Sequence, residues 1–125
     1  MRNDSNLKAL RPKIETEDIT TTEIEKFQNQ VLRPILKFQH SLLEIEVENN
    51  PLIEKLLMKE LSSIKKRLLI KGIISKPELK NQLLGQITGL LTNSEYQFYF
   101  SKKKEIDKRI FSMLMDRILS VKIDD

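Results

Sequence analysis

The chain has 125 residues, a net charge of +4, no cysteine and one histidine. That length suits a single domain burying roughly 65% of its unfolded surface, and the residue set excludes disulfides, thiolate chemistry and a zinc site built from two or more His or Cys. Leu, Ile, Lys, Glu and Gln dominate, with only 3 Gly and 4 Pro. Helices are therefore favoured over a sheet, and the expectation is an all-α fold, a four-helix, bundle-like single domain whose short connections imply antiparallel order.

Residues 1–21 mix charges of both signs around Leu10-Arg11-Pro12-Lys13-Ile14 without a sustained period, which predicts an irregular N-terminal arm ahead of a helical domain over 22–125. Met1–Ile14 lacks the apolar centre of a signal peptide, and no apolar run approaches the ~20 residues that cross a bilayer. A cytoplasmic protein with no membrane partner is expected.

The first helix is predicted from Thr22, which makes a capping-box pattern with Glu25, to about Glu48. Ile24, Phe27, Val31, Ile35, Phe38, Leu42 and Ile45 share one face; Lys26, Asn29, Arg33, Lys37, His40 and Glu44 share the other. Pro34 lies inside this run. An interior proline removes one backbone donor, frees the Gln30 carbonyl and costs about 3 kcal/mol unless the fold accommodates it. A kinked first helix is expected, and something specific should happen there.

Asn49-Asn50-Pro51 closes that helix and opens a second. Ile53, Leu57, Leu61, Ile64 and Leu68 are its predicted buried stripe, and Lys71-Gly72 its stop. Ser75 and Glu78 form the next capping box, for a third helix from about Lys76 to Leu91 with Leu79, Leu83, Ile87 and Leu90 as its stripe. Gly85 and Gly89 lie four apart beside that stripe. Each weakens a helix by up to ~1 kcal/mol, so the pair predicts close approach of another backbone and a contact for self-association. Thr92 and Glu95 cap a fourth helix reaching about Lys122, with a break between Ser101 and Glu105. Tyr96, Tyr99, Ile106, Ile110, Met113, Leu114 and Val121 fall on one face of it, with Arg117 at the middle.

Few residues carry chemistry. His40, the only histidine, stands four residues before Glu44, the spacing of a surface pair on a helix. No second His or Cys and no Glu-x-x-His pair exists to complete a common metal site, so no metal, cofactor or catalytic residue is assigned. Gln28 and Gln39 project along one flank of the first helix, where partly buried amides must find partners. They can satisfy the carbonyl freed by Pro34, bridge to another helix or hold a ligand. Arg117, amid apolar neighbours, must snorkel outward, meet a carboxylate or grip an anion. Gln28, Arg33, Gln39, His40 and Arg117 are thus the candidate ligand-binding residues. Between Asn49 and Gly72 six Lys and Arg face two Glu, and Lys55, Lys59 and Lys66 are read as a row opposite the stripe of the second helix. Such a row more often faces solvent than nucleic acid, which wants base-reading side chains or exposed aromatics beside the charge.

Several segments together resemble a family of short bacterial helical proteins. They are Leu10-Arg11-Pro12, Phe27-Gln28-Asn29, Leu32-Arg33-Pro34-Ile35-Leu36-Lys37, Gly85-x-x-x-Gly89-x-x-Thr92-x-x-Glu95-Tyr96-x-x-Tyr99, and Lys108-Arg109 with Arg117. The resemblance implies a helical fold over most of the chain and transfers no mechanism. Some members carry a "glyoxalase" label, but those enzymes hold a metal with His and Glu on mixed α/β modules, and this chain has one His and no strand pattern. It also has Asp107 where the family pattern has Asn. The function expected from all this is non-enzymatic, an interaction module that self-associates as a homodimer or meets an unidentified protein partner. A sensor or enzyme binding a small ligand or anion through Arg33, His40 and Arg117 is the alternative, and a nucleic-acid binder using the lysines the less favoured one.

Overall fold

Short polar side chains set most of the helix starts. Asn3, Thr22, Asn50, Ser62 and Thr92 each accept a hydrogen bond from a backbone N–H in the first turn that follows, satisfying donors that a helix start leaves open. Pro51 and Pro77 occupy first helical positions, where the missing N–H costs nothing. The computed structural model describes residues 2–13 and 22–122, the side chains of Val121 and Lys122 excepted. Within them the helices are α1 (Asp4–Ala9), α2 (Glu23–Phe27), a π-helical turn (Gln28–Leu32), α3 (Arg33–Glu48), α4 (Pro51–Leu57), α5 (Ser63–Ile74), α6 (Pro77–Thr88), α7 (Asn93–Ser101) and α8 (Lys103–Lys122). No strand occurs among the described residues, and no helix among them is long and apolar enough to cross a membrane. The fold is all-α.

The longest helix, α8, is central to the packing. Ile106, Ile110, Leu114 and Ile118 recur every four residues and are buried, with Met115 and Leu119 beside them. Against this stripe lie the π turn, α3, α5, α6 and α7, contributing Leu32, Ile35 and Leu36, Ile70 and Ile74, Leu83 and Ile87, and Tyr99. Met113 and Arg117 stand at the edge of the stripe, so Arg117 is not in its middle as the periodicity suggested. Val121, placed on the same face by the sequence, lies outside the described side chains. The expected break falls at Lys102, between α7 and α8. Across it the buried Tyr99 hydroxyl donates to Asp107 (2.6 Å), which also receives the Lys103 ammonium (2.6 Å). Burial, then Asp107, pushes the phenol up to about 12.

Several expectations are corrected. The second predicted helix is two helices, and residues 58–62 between α4 and α5 reset the helical phase. The stripe drawn through both as one helix therefore turns outward in its second half: Ile64 is 72% and Leu68 64% exposed, while Ile53, Leu56, Ile70 and Ile74 are the buried positions. Lys55, Lys59 and Lys66 consequently share no helix, and their row does not exist. Gly72 does not stop a helix either, since α5 runs on to Ile74 and no described glycine has positive φ. Ser75 closes α5 by donating to the Lys71 carbonyl (2.6 Å), so the Ser75–Glu78 box is not formed. The arm is not wholly irregular, because residues 4–9 form α1; its segment 14–21 lies outside the described residues.

The phase reset has a direct test. Ile70→Ala should lower the unfolding free energy by about 2–5 kcal/mol in urea melts, as for a buried methyl-rich side chain. Ile64→Ala and Leu68→Ala should each stay within about 0.5 kcal/mol of the wild type.

Candidate anion-binding groove

The site begins with Pro34, which is buried. Its ring would clash with the carbonyl four residues back in an α-helix, and it has no N–H to donate. The turn just before it widens to π geometry, in which the Arg33 N–H reaches the Gln28 carbonyl five residues back. The extra residue accommodated in that turn rotates everything N-terminal to it by about 100° relative to α3. Gln28 and Arg33 would otherwise point about 140° apart; the π turn brings them within about 40°. Gln28 thereby leaves the flank it was expected to share with Gln39.

The residues of this turned segment and of α8 enclose a groove of about 680 Å³ whose lining includes Gln28, Arg33, His40, Arg109 and Arg117. Gln28 Oε1 accepts from Arg109 (2.8 Å), and Arg109 also meets Glu105 (3.3 Å). Farther along, Arg117 lies 3.4 Å from His40 Nδ1, and His40 Nε2 lies 2.5 Å from Glu44. A guanidinium only donates, so Nδ1 accepts and the ring proton sits on Nε2, toward Glu44. The contact points advance in the same chain direction on both elements, from 28 to 40 and from 109 to 117. The first and last long segments are therefore not opposed, as an up-down bundle would have them.

Arg33 is held by the neutral Asn29 (2.8 Å), and among the described residues neither Arg33 nor Arg117 forms a salt bridge. Burial first, and then the facing charge of Arg33, hold Arg117 below the ordinary arginine range. Two guanidiniums that line one groove, neither in a salt bridge among the described residues, offer donors to an anion. Asp116 also lines the groove and is exposed.

Four of the five candidate ligand residues, Gln28, Arg33, His40 and Arg117, therefore meet in one groove. Gln39 does not: it is buried and donates to the Gln86 carbonyl of α6 (2.9 Å), the bridging role. Arg109, Ser112 and Asp116 were not among the candidates. Arg109 could have been found from its spacing, eight residues before Arg117 on one helix, a little over two turns; Ser112 and Asp116 carry no such signal. The glycine pair is also reassigned. Gly85 is exposed with no atom near a built Cβ, and a Cβ on Gly89 would stand 2.9 Å from the Gly85 carbonyl, so no second backbone approaches the pair within the described chain.

A separate cluster fastens the arm. Arg11 pairs with Glu95 through two contacts (2.8 and 2.6 Å) and donates to the Leu90 carbonyl, while Arg2 reaches the Gly89 and Leu91 carbonyls. Glu95 simultaneously closes the Thr92 capping box. Among the described residues no three His, Asp or Glu side chains gather as metal ligands. Comparison with known protein families, curated proteins and solved structures returns no match.

Burial alone would raise the Glu95 carboxyl, but Arg11 and the Thr92 N–H outweigh it and hold it below the ordinary glutamate value. A depressed folded-state value stabilises the fold above the unfolded value and loses that contribution as pH falls through the folded one. Arg11→Ala should therefore cost about 2 kcal/mol at pH 7. The difference from wild type should narrow in melts carried into the acid range, below the ordinary glutamate value.

Proposed function

We propose that this is a cytoplasmic ligand-binding module that captures a small anion in the groove between the π turn, α3 and α8. One observation carries the reading: the half-buried Arg117 and the exposed Arg33 line one groove, and among the described residues neither forms a salt bridge. The charge of Arg33 disfavours that of Arg117, and an anion bound beside them relieves it. His40 supports the reading as a positioning residue, since its Nδ1 orients Arg117 while Glu44 orients the ring.

Titration with inorganic phosphate, followed by amide NMR shifts, tests it. Saturable shifts at residues 28–40 and 109–120 are expected. Arg117→Lys, which keeps the charge and loses the planar fork, should weaken binding about tenfold. The melting temperature should move by no more than about 2 °C. No saturation at concentrations on the order of 10 mM, or equal binding by wild type and variant, rejects the assignment.

A second reading, self-association, is favoured by a different observation. Ile64 and Leu68 are exposed on α5 beside Lys65 and Lys71, whereas Leu42 and Ile45 are exposed on α3 beside Glu44 and Glu46. Two copies can pair the basic-flanked apolar strip of one with the acidic-flanked strip of the other, a reciprocal contact of the kind twofold dimers use. Sedimentation velocity across micromolar concentrations should show a concentration-dependent dimer that Leu68→Lys returns to monomer. A monomer at every concentration ends this reading.

A further inference from the structure

The groove is larger and more asymmetric than a bare anion requires. At about 680 Å³ it lies within the range of pockets that hold organic ligands, roughly 300–1,000 Å³. Its two ends differ in charge. At one end Arg109 is already satisfied by Glu105 and Gln28 and has no charge to spare. At the other, Arg33 and Arg117 carry two positive charges and form no salt bridge among the described residues, with the exposed Asp116 also in the lining. Between the ends the lining includes the apolar Leu36 and Met113, with Ser112 alongside.

Resting on the anion-binding reading above, we propose that the ligand is an organic phosphate monoester. Its phosphoryl group lies between Arg33 and Arg117, and its organic part runs along Leu36 and Met113 toward Gln28. A monoester carries about −1.5 to −2 charges at neutral pH, matching two guanidiniums. A carboxylate or a phosphodiester, with a single charge, leaves one arginine still opposed by the other. The Arg109 end lacks a free cation, so the site calls for one anionic group and not two. Gln28 gives its Oε1 to Arg109, which leaves its Nε2 hydrogens for an acceptor on the organic part.

Calorimetric titration of the full chain with four probes separates this proposal from the broader one. Phenyl phosphate should bind at least tenfold more tightly than inorganic phosphate, and at least tenfold more tightly than methyl phenyl phosphate or benzoate. Arg33→Gln should lower phenyl phosphate affinity tenfold or more. Met113→Ser, or Met113→Ala should the first fail to fold, should weaken phenyl phosphate more than inorganic phosphate, and equal weakening of both overturns the placement of the organic part. Equal affinity for phenyl phosphate and inorganic phosphate overturns the organic ligand while the anion reading stands. Diester or benzoate binding as tightly as the monoester overturns the requirement for a dianion. Absence of binding by every probe defeats both readings together.

Discussion

A proline that cannot donate a hydrogen bond, placed inside a helix that the core needs on both sides, is the constraint on which the rest of this structure depends. Phe27 before it and Ile35 after it are both buried, so the chain cannot end the helix at Pro34 and must continue through it. Widening one turn is the solution that retains most hydrogen bonds and relieves the ring. The cost is a shift in phase, and that shift carries Gln28 from one flank of the helix to the other. The groove, with its paired arginines, is a geometric consequence.

The second determinant is the distribution of charge around α8. Its buried stripe demands apolar neighbours, yet Arg109 and Arg117 border that stripe, where a guanidinium can bury its stem and keep its head in a wet groove. Arg109 is neutralised locally, four residues from Glu105. Among the described residues Arg117 contacts the His40 ring, itself held by Glu44. The two arginines thus differ in what they have left to offer, although they stand on one helix just over two turns apart.

Much of this was legible in the sequence, and the failures share a cause. The helical class, the Thr92–Glu95 box, the break after Ser101 and the His40–Glu44 pair follow from residue types at short spacings, where local chemistry decides. Pro34 was legible as a site of departure from α geometry; the π turn was not, because periodicity assumes one phase throughout. The same assumption carried a single stripe from Ile53 to Leu68 across a break, and put Gln28 and Gln39 on one flank. Gly85 and Gly89 meet no second backbone within the described chain, since their spacing says nothing of which side of the helix that chain covers. The meeting of Arg33 with Arg117 joins residues far apart in sequence and depends on packing that no local pattern encodes.

The fastening of the arm bears on the order in which the chain acquires its contacts. Arg11 and Glu95 are separated by 84 residues, and a contact of that span closes a long loop before it returns any stabilisation. On a ribosome Arg11 emerges before Glu95 and has no carboxylate at the α6–α7 corner to meet until a further 84 residues have followed. Glu95 also belongs to the Thr92 box, a local contact that needs only three neighbouring residues, so α7 can be capped before the arm arrives. The arm is then made before the corner it docks onto and is among the last segments to settle, meeting a surface whose shape is already set.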